Sequence, residues 1–327
     1  MEHDDICIAY MTHEEAKKLV VPRERDAHKG NFGKLLCICG SDKMPGAAML
    51  CTEAAYRMGA GIVRLASVRS VTDKAVLRVP EIVTLPLPSA PCGTIGADST
   101  DILEEALETA TACVIGCGLG ISGDTENIVR CILRCAKCPL IVDADALNII
   151  SKDTNMLART AAQTVITPHV GEMSRLTGMS AEMIQSDRVR AAVSFAERYG
   201  TAVVLKGSET VTAGTVGGKT SGSRISVRRI SDGKIVERDS AGNASVQKVS
   251  AIVNTSGNPG MAKGGSGDVL AGVIGGRAAQ GRDLFESAAL GVYIHGKAGD
   301  IAAEEMSEYG IMPTDVIDRL AEVFTMK

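Results

Sequence analysis

The residues best suited to chemistry lie in Asn254-Thr-Ser-Gly-Asn-Pro-Gly-Met-Ala-Lys-Gly-Gly-Ser-Gly-Asp268, which runs into Val269-Leu-Ala-Gly-Val-Ile. Glycine carries no Cβ, so Gly257, Gly260, Gly264 and Gly265 let the backbone turn tightly and approach a ligand closely. The pattern then becomes helical, with Ser266 as the expected N-cap. The N–H groups of a first helical turn are unpaired and lie at the positive end of the helix dipole, so Gly264, Gly265, Ser266 and Gly267 form a candidate anion site. Asp268 stands inside that turn. A carboxylate there would repel phosphate oxygens unless it has a proton to take or a metal to hold. The plainer alternative is that it only complements its own helix dipole.

Three further clusters follow apolar runs. Asp143-Ala-Asp145-Ala-Leu-Asn148 comes at the end of Leu140-Ile-Val. The C-terminal edge of an open α/β sheet is where ligands bind, and one of the two aspartates is expected to be structural. Thr167-Pro-His169-Val-Gly-Glu172 places a His and a Glu three residues apart at a strand-to-helix turn. Here a structural hydrogen bond and a functional role for His169 weigh equally. Lys206-Gly207-Ser208-Glu209-Thr210 follows Ala202–Leu205; Lys206 could meet phosphate, or stand exposed in a hairpin turn.

Two other glycine patterns mislead. Gly118-Leu-Gly120-Ile-Ser-Gly123 matches GxGxxG, with Asp143 twenty positions on. That is a dinucleotide fingerprint, and a NAD-linked dehydrogenase is a rival reading. It lies mid-chain, however, and leaves the loop before Asp268 without a purpose. Gly218-Lys219-Thr220 is preceded by Ala213 where a phosphate-binding loop needs glycine, and no helix pattern follows.

These residues are carried by an alternation of buried strands and helices. Strands are expected at 34–39, 62–66, 82–85, 112–115, 140–143, 165–167 and 202–205. Helices are expected at 12–20, 47–58, 71–79, 101–109, 124–136, 181–199, 266–280, 284–306 and 314–324. Continuous apolar runs such as Lys34-Leu-Leu-Cys-Ile-Cys39 are strands covered on both faces. The alternation predicts a doubly wound α/β sandwich with a mainly parallel sheet, in a single domain over 1–327. Gly214–Lys248, rich in glycine, serine and charge, departs from the alternation and reads as an exposed hairpin or flap.

Composition excludes several classes. The chain has 327 residues, 45% hydrophobic, with a net charge of −4; nothing points to nucleic acid. Aromatics are 3% with no Trp, so a nucleobase must be held by aliphatic and backbone groups. No membrane-spanning run or signal sequence is apparent, so a cytoplasmic location is expected. The ten cysteines lie mostly in apolar segments and read as small buried hydrophobes. Cys135 and Cys138 make a lone CxxC without a second pair, so no metal or redox use is expected there.

Taken together, the clusters resemble one family. The pieces are His28-Lys-Gly-Asn-Phe-Gly33, Gly40-Ser…Met44-Pro-Gly-Ala-Ala48, Gly116-Cys-Gly118-Leu-Gly120, Asp143-Ala-Asp-Ala-Leu-Asn148, Thr167-Pro-His169-Val-Gly-Glu172, Lys206-Gly…Thr210, Asn258-Pro-Gly-Met-Ala…Gly-Gly-Ser-Gly-Asp268 and His295-Gly-Lys-Ala-Gly-Asp300. In this order they are similar to the ADP- or ATP-dependent NAD(P)H-hydrate dehydratases, ribokinase-like enzymes with a three-layer α/β/α sandwich. The match is to the form without an N-terminal epimerase domain.

The resemblance implies ADP-dependent dehydration of NADHX or NADPHX, with ADP (ATP as the alternative) donating phosphate and Mg²⁺ accompanying it. It implies Asp268 as catalytic base, and Ala47, Gly118, His169 and Asp268 for the hydrated dinucleotide, with Asp145 and Asn148 as neighbours. Lys206, Gly207, Ser208, Glu209, Thr210 and Gly267 are implied for the nucleotide, and a homotetramer for the assembly. The alternative is a ribokinase-like kinase for a vitamin-type hydroxymethyl substrate. A third reading is a non-catalytic nucleotide sensor. Val170 stands where the family usually has proline, and Gly217–Lys248 exceeds its short hairpin.

Overall fold

A computed structural model describes residue 6, residues 8–214 and 251–325, and the backbone of 229–231 and 234–236. Most of the flap at 214–248, including the strand-like run Arg224–Val227, lies outside the described residues, as do the extreme termini.

Among the described residues there are twelve strands: β1 (Ile8–Tyr10), β2 (Lys34–Ile38), β3 (Ile62–Val68), β4 (Val83–Leu87), β5 (Ala112–Ile115), β6 (Leu140–Val142), β7 (Thr164–Ile166), β8 (Ala202–Leu205), β9 (Thr210–Ala213), β10 (Arg229–Ser231), β11 (Lys234–Val236) and β12 (Ala251–Asn254). Ten of them make one sheet in the order β1-β12-β9-β8-β7-β6-β5-β2-β3-β4, while β10 and β11 pair separately and antiparallel. Pairing from β8 through β4 is parallel, and β9 alone runs against both its neighbours. The expected mainly parallel sheet is therefore present, and β1, β9 and β12 extend it beyond the strands read from the sequence.

Helices cover both faces, which explains the continuous apolar runs. A Cβ on Gly275 would touch Val114 and Leu35. Those two side chains therefore face the helix Ser266–Ala278, and strand alternation sends Leu36, Cys113 and Ile115 to the other face. All five are buried.

Helix ends differ from expectation where a side chain outcompetes the pattern. The helix expected over 181–199 is two helices, Ala181–Ser186 and Arg188–Tyr199. Asp187 leaves helical geometry (φ −148°, ψ 79°), and its carboxylate accepts the Arg190 N–H as an N-cap. Ser266 is not a cap. Gly265, at φ 102°, takes that place, and the Ser266 hydroxyl donates to the Met261 carbonyl at 2.6 Å.

Strand order reverses between β5 and β2: the chain moves outward through β3 and β4, then returns to build β5 to β8 on the other side. In an open α/β sheet such a switch point marks the candidate ligand crevice at the C-terminal edge.

Candidate active site

At that switch point the loops after β2 and β5 are tied together. The Gly40 N–H donates to the Cys117 carbonyl at 2.8 Å, and the Ser41 hydroxyl donates to the Gly118 carbonyl at 2.9 Å. Gly118 lies at φ +59°, and a Cβ there would stand 2.6 Å from the Ala47 Cβ. Ala47 and Gly118 thus pack against each other at the candidate crevice.

The same loop carries the GxGxxG pattern, Gly118 to Gly123. The helix Gly123–Cys135 begins with a closed capping box, in which the Ser122 hydroxyl accepts the Thr125 N–H and the Thr125 hydroxyl accepts the Ser122 N–H. Two N–H groups of this turn are thereby taken by side chains. Asp145 accepts the Gly120 N–H at 2.8 Å and so holds the loop from outside. Asn148 accepts from Arg175 at 2.9 Å.

Beside the crevice, past the ends of β6, β7 and β8, is a cavity of about 820 Å³. It is lined by His169, Lys206, Gly207, Ser208, Thr210, Gly265, Ser266, Gly267 and Asp268, and also by Asp143, Glu172, Asn254, Ser256 and His295. Ala47, Gly118, Asp145, Asn148, Glu209 and Gly264 do not line it.

Asp143 is the residue that sequence reasoning passed over in favour of Asp145. It directly follows β6 at the sheet edge and is buried at 1% exposure. One carboxylate oxygen accepts from the Thr167 hydroxyl at 2.6 Å and from the Lys206 ammonium at 2.8 Å. Ala144 then takes φ +50°, a costly angle for a side-chain-bearing residue, as the chain turns into its helix. Burial works against the charge on Lys206, but Asp143 and Glu172 outweigh it and hold its pKa above the ordinary value. Lys206 therefore carries a fixed positive charge on the cavity wall rather than standing exposed in a turn.

His169 caps the helix Val170–Thr177. Its Nδ1 accepts from the Gly171 and Glu172 N–H groups, and Glu172 accepts the His169 N–H at 2.8 Å. Burial, and then Lys206, lower its pKa, so the ring is neutral with its proton on Nε2. His295 was also missed. Burial pushes its pKa down to about 4, and its Nε2 is buried without a partner. The sequence marks it only within the His295–Asp300 piece of the resemblance, without a role; the long-range packing of the helix Leu284–Gly310 brings it to the cavity.

Among the described residues, the backbone N–H groups of Gly264, Gly265, Gly267 and Asp268 have no partner, whereas that of Ser266 donates to the Lys263 carbonyl at 3.2 Å. Gly267 sits so close to the cavity floor that a Cβ would stand 3.3 Å from the Lys206 ammonium and 3.6 Å from Asp143. Asp268 lines the cavity on the side of the switch point: carboxylate oxygens of Asp268 and Asp143 and the sulfur of Cys117, the neighbour of Gly118, lie within 4.8 Å of one another. Burial, with Cys117 and Asp143 alongside, raises the Asp268 pKa to about 9. Fixed cation, free N–H groups and a strongly basic carboxylate are the parts needed to move phosphate onto a hydroxyl.

A family profile described as NAD(P)H-hydrate dehydratase matches residues 35–222 and 232–322. The chain is 37% identical over 301 residues to the bifunctional NAD(P)H-hydrate repair enzyme of Moorella thermoacetica, covering 92% of this chain and 51% of that one. It thus spans about half the length of the bifunctional relatives it matches. It is 35% identical over 286 residues to the ADP-dependent (S)-NAD(P)H-hydrate dehydratase of Neisseria meningitidis, covering 86% of this chain and 81% of that one. In structure it is similar to the ADP/ATP-dependent NAD(P)H-hydrate dehydratase of Bacillus subtilis co-crystallised with ATP/Mg²⁺. There the TM-score is 0.74 and the identity 27%, with 97% and 98% of the two chains covered. A ribokinase-like protein of Enterococcus faecalis matches with a TM-score of 0.75 at 26% identity, covering 96% and 94%. The sheet is thus of the ribokinase-like kind, and the chain belongs to the NAD(P)H-hydrate dehydratase family.

Proposed function

We propose that this protein restores (6S)-NADHX and NADPHX to NADH and NADPH in an ADP-dependent dehydration that releases AMP and phosphate. The observation that carries the reading is the place of Asp268 between a nucleotide-sized cavity, which it lines, and the switch-point loops of Ala47 and Gly118, whose neighbour Cys117 it approaches. A phosphate donor held in the one and a hydroxyl held in the other meet at this carboxylate.

Hydroxide is a poor leaving group and phosphate a good one. Asp268 takes the proton of the ring C6 hydroxyl, and that oxygen bonds to the terminal phosphorus of ADP as the bond to AMP breaks. The N–H groups of Gly264, Gly265 and Gly267, the helix dipole and Lys206 oppose the charge on the moving phosphoryl group. The ring nitrogen then pushes phosphate out, a proton leaves the neighbouring ring carbon, and the reduced ring is restored. Gly207, Ser208 and Thr210 hold the nucleotide at the turn between β8 and β9. His169 faces the dinucleotide, with Asp145 and Asn148 setting the loops behind it.

Mg²⁺ fits the donor set. Asp143 and Glu172 bring hard carboxylate oxygens to the cavity wall and would hold the ion together with phosphate oxygens and water. When bound, it neutralises phosphate charge. We further propose a homotetramer in the cytoplasm, the assembly being checked by light scattering. Among the described residues no helix is long and apolar enough to cross a membrane.

The test is to mix the protein with NADHX and ADP, then ATP, and follow the return of reduced-nicotinamide absorbance. A folded protein giving no return with either nucleotide refutes the reading. The same Asp268 geometry serves a small-molecule kinase, and a stable phosphate ester as product would establish that instead.

A further inference from the structure

On the face of the sheet carrying the helices Thr100–Glu108 and Gly123–Cys135, away from the cavity, Glu104 meets two thiols. The Cys131 and Cys135 sulfurs donate to the same Glu104 carboxylate oxygen at 3.0 and 3.2 Å. One donor atom from each of the three lies within 4.8 Å of the other two. Cys131 and Cys135 are four residues apart on one helix, which stacks their side chains on one face. Glu104 comes from the other helix, so the cluster spans two elements. Cys135, which the sequence pairs with Cys138 as CxxC, is instead engaged with Cys131.

We propose that Glu104, Cys131 and Cys135 form a binding site for a thiophilic divalent cation of the Zn²⁺ class, clamping the two helices together. Zn–S bonds of about 2.3 Å and Zn–O bonds of about 2.0–2.2 Å in a tetrahedron put neighbouring ligand atoms about 3.5 Å apart. The two sulfur-to-oxygen distances, 3.0 and 3.2 Å, need lengthen only by about half an ångström to reach that geometry. The cation would replace the two thiol protons: two S–H bonds break, two S–metal bonds form, and both protons go to solvent. Glu104 is 43% exposed in its side chain and Cys135 is half-buried, which gives ions a path and leaves the fourth position to water. Arg134, 3.5 Å from Glu104, is the charge that opposes a cation. Its side chain is 74% exposed and free to swing into solvent. Two thiolates and one carboxylate balance a divalent ion and one guanidinium.

The experiment uses the full chain, stripped with a chelator and kept in a non-thiol reductant, titrated with Cd²⁺ and with Co²⁺. The sulfur-to-cadmium ultraviolet band and the visible bands of tetrahedral Co²⁺ should appear at one equivalent. Cys131→Ala and Cys135→Ala should each weaken Cd²⁺ binding by about tenfold or more. Glu104→Gln should weaken it while keeping the sulfur band. Cys51→Ala should leave the titration unchanged, since Cys39, Cys51 and Cys117 form a separate, fully buried thiol group. The unligated Cys131→Ala protein should show unchanged dehydratase turnover, as the site is remote from Asp268. No band in the native chain, a band that survives in Cys131→Ala and Cys135→Ala, or a band lost only in Cys51→Ala overturns the proposal.

Discussion

The Lys206 ammonium lies 2.8 Å from the Asp143 carboxylate, on a cavity wall where Asp143 is almost wholly buried. Each charge is tolerated because the other is present. Removing one partner strands the other, which typically costs roughly 3–5 kcal/mol. Lys206→Met should therefore lower stability by about that amount and abolish ADP-dependent turnover. Pairing it with Asp143→Asn should recover part of the stability and none of the activity. Chemical denaturation of the two single variants and the double variant checks the coupling.

Asp268 gives a signed pH dependence. Its pKa is raised in the folded protein to about 9 from an ordinary 3.8, so the folded state keeps a proton that the unfolded chain has lost. Its contribution to stability is fully present below the unfolded value and is lost as pH rises to about 9. The slope reaches about 1.4 kcal/mol per pH unit at most. Asp268→Asn should remove this component from a plot of stability against pH and leave a protein at least as stable near pH 8.

The same substitution tests the chemistry. Turnover should fall by about 10²–10⁴-fold without a general base, while ADP still binds. In the native enzyme kcat/KM should rise with pH as Asp268 ionises, and Asp268→Asn should flatten that rise. Native-like turnover in this variant would remove Asp268 from the chemistry.

Gly267 separates binding from folding. An added Cβ would stand 3.3 Å from the Lys206 ammonium, at the edge of the free N–H groups. Alanine is a better helix former than glycine by about 0.8–1.0 kcal/mol. Gly267→Ala should thus hold or raise thermal stability while weakening ADP binding, read by calorimetry. If nucleotide affinity is unchanged, phosphate does not sit on this turn.

Gly118 makes the complementary test on the crevice. At φ +59° with Ala47 2.6 Å from an added Cβ, Gly118→Ala combines a left-handed backbone with overpacking. It should lose about 2 kcal/mol or more of stability. It should raise KM for the hydrated dinucleotide and leave the Kd for ADP near native.

Much of this protein can be read along the chain. Continuous apolar runs such as Lys34–Ile38 and Ala112–Ile115 mark strands covered on both faces, because polar residues cannot be placed on either side. The glycine loop before Asp268 announces close backbone approach, because only glycine tolerates it. β1 and β12 escaped because they pair far off in sequence, Ile8 with Ala251, and β9 escaped as a four-residue strand that turns straight back on β8. The helix break at Asp187 escaped because one carboxylate competes with an otherwise regular helical pattern.

The sequence by itself determined the sheet's kind, the loop and the candidate carboxylate, since these depend on local periodicity and on backbone freedom. Tertiary structure alone decided which aspartate after β6 enters the site: Asp143 is drawn in by Thr167 and Lys206, while Asp145 turns to the Gly120 N–H. It also decided that Asp268 is strongly basic and that His295 is neutral, because both follow from burial among residues distant in the chain. Charge, proton affinity and distance belong to the packed ensemble of side chains, and no spacing along the chain encodes them.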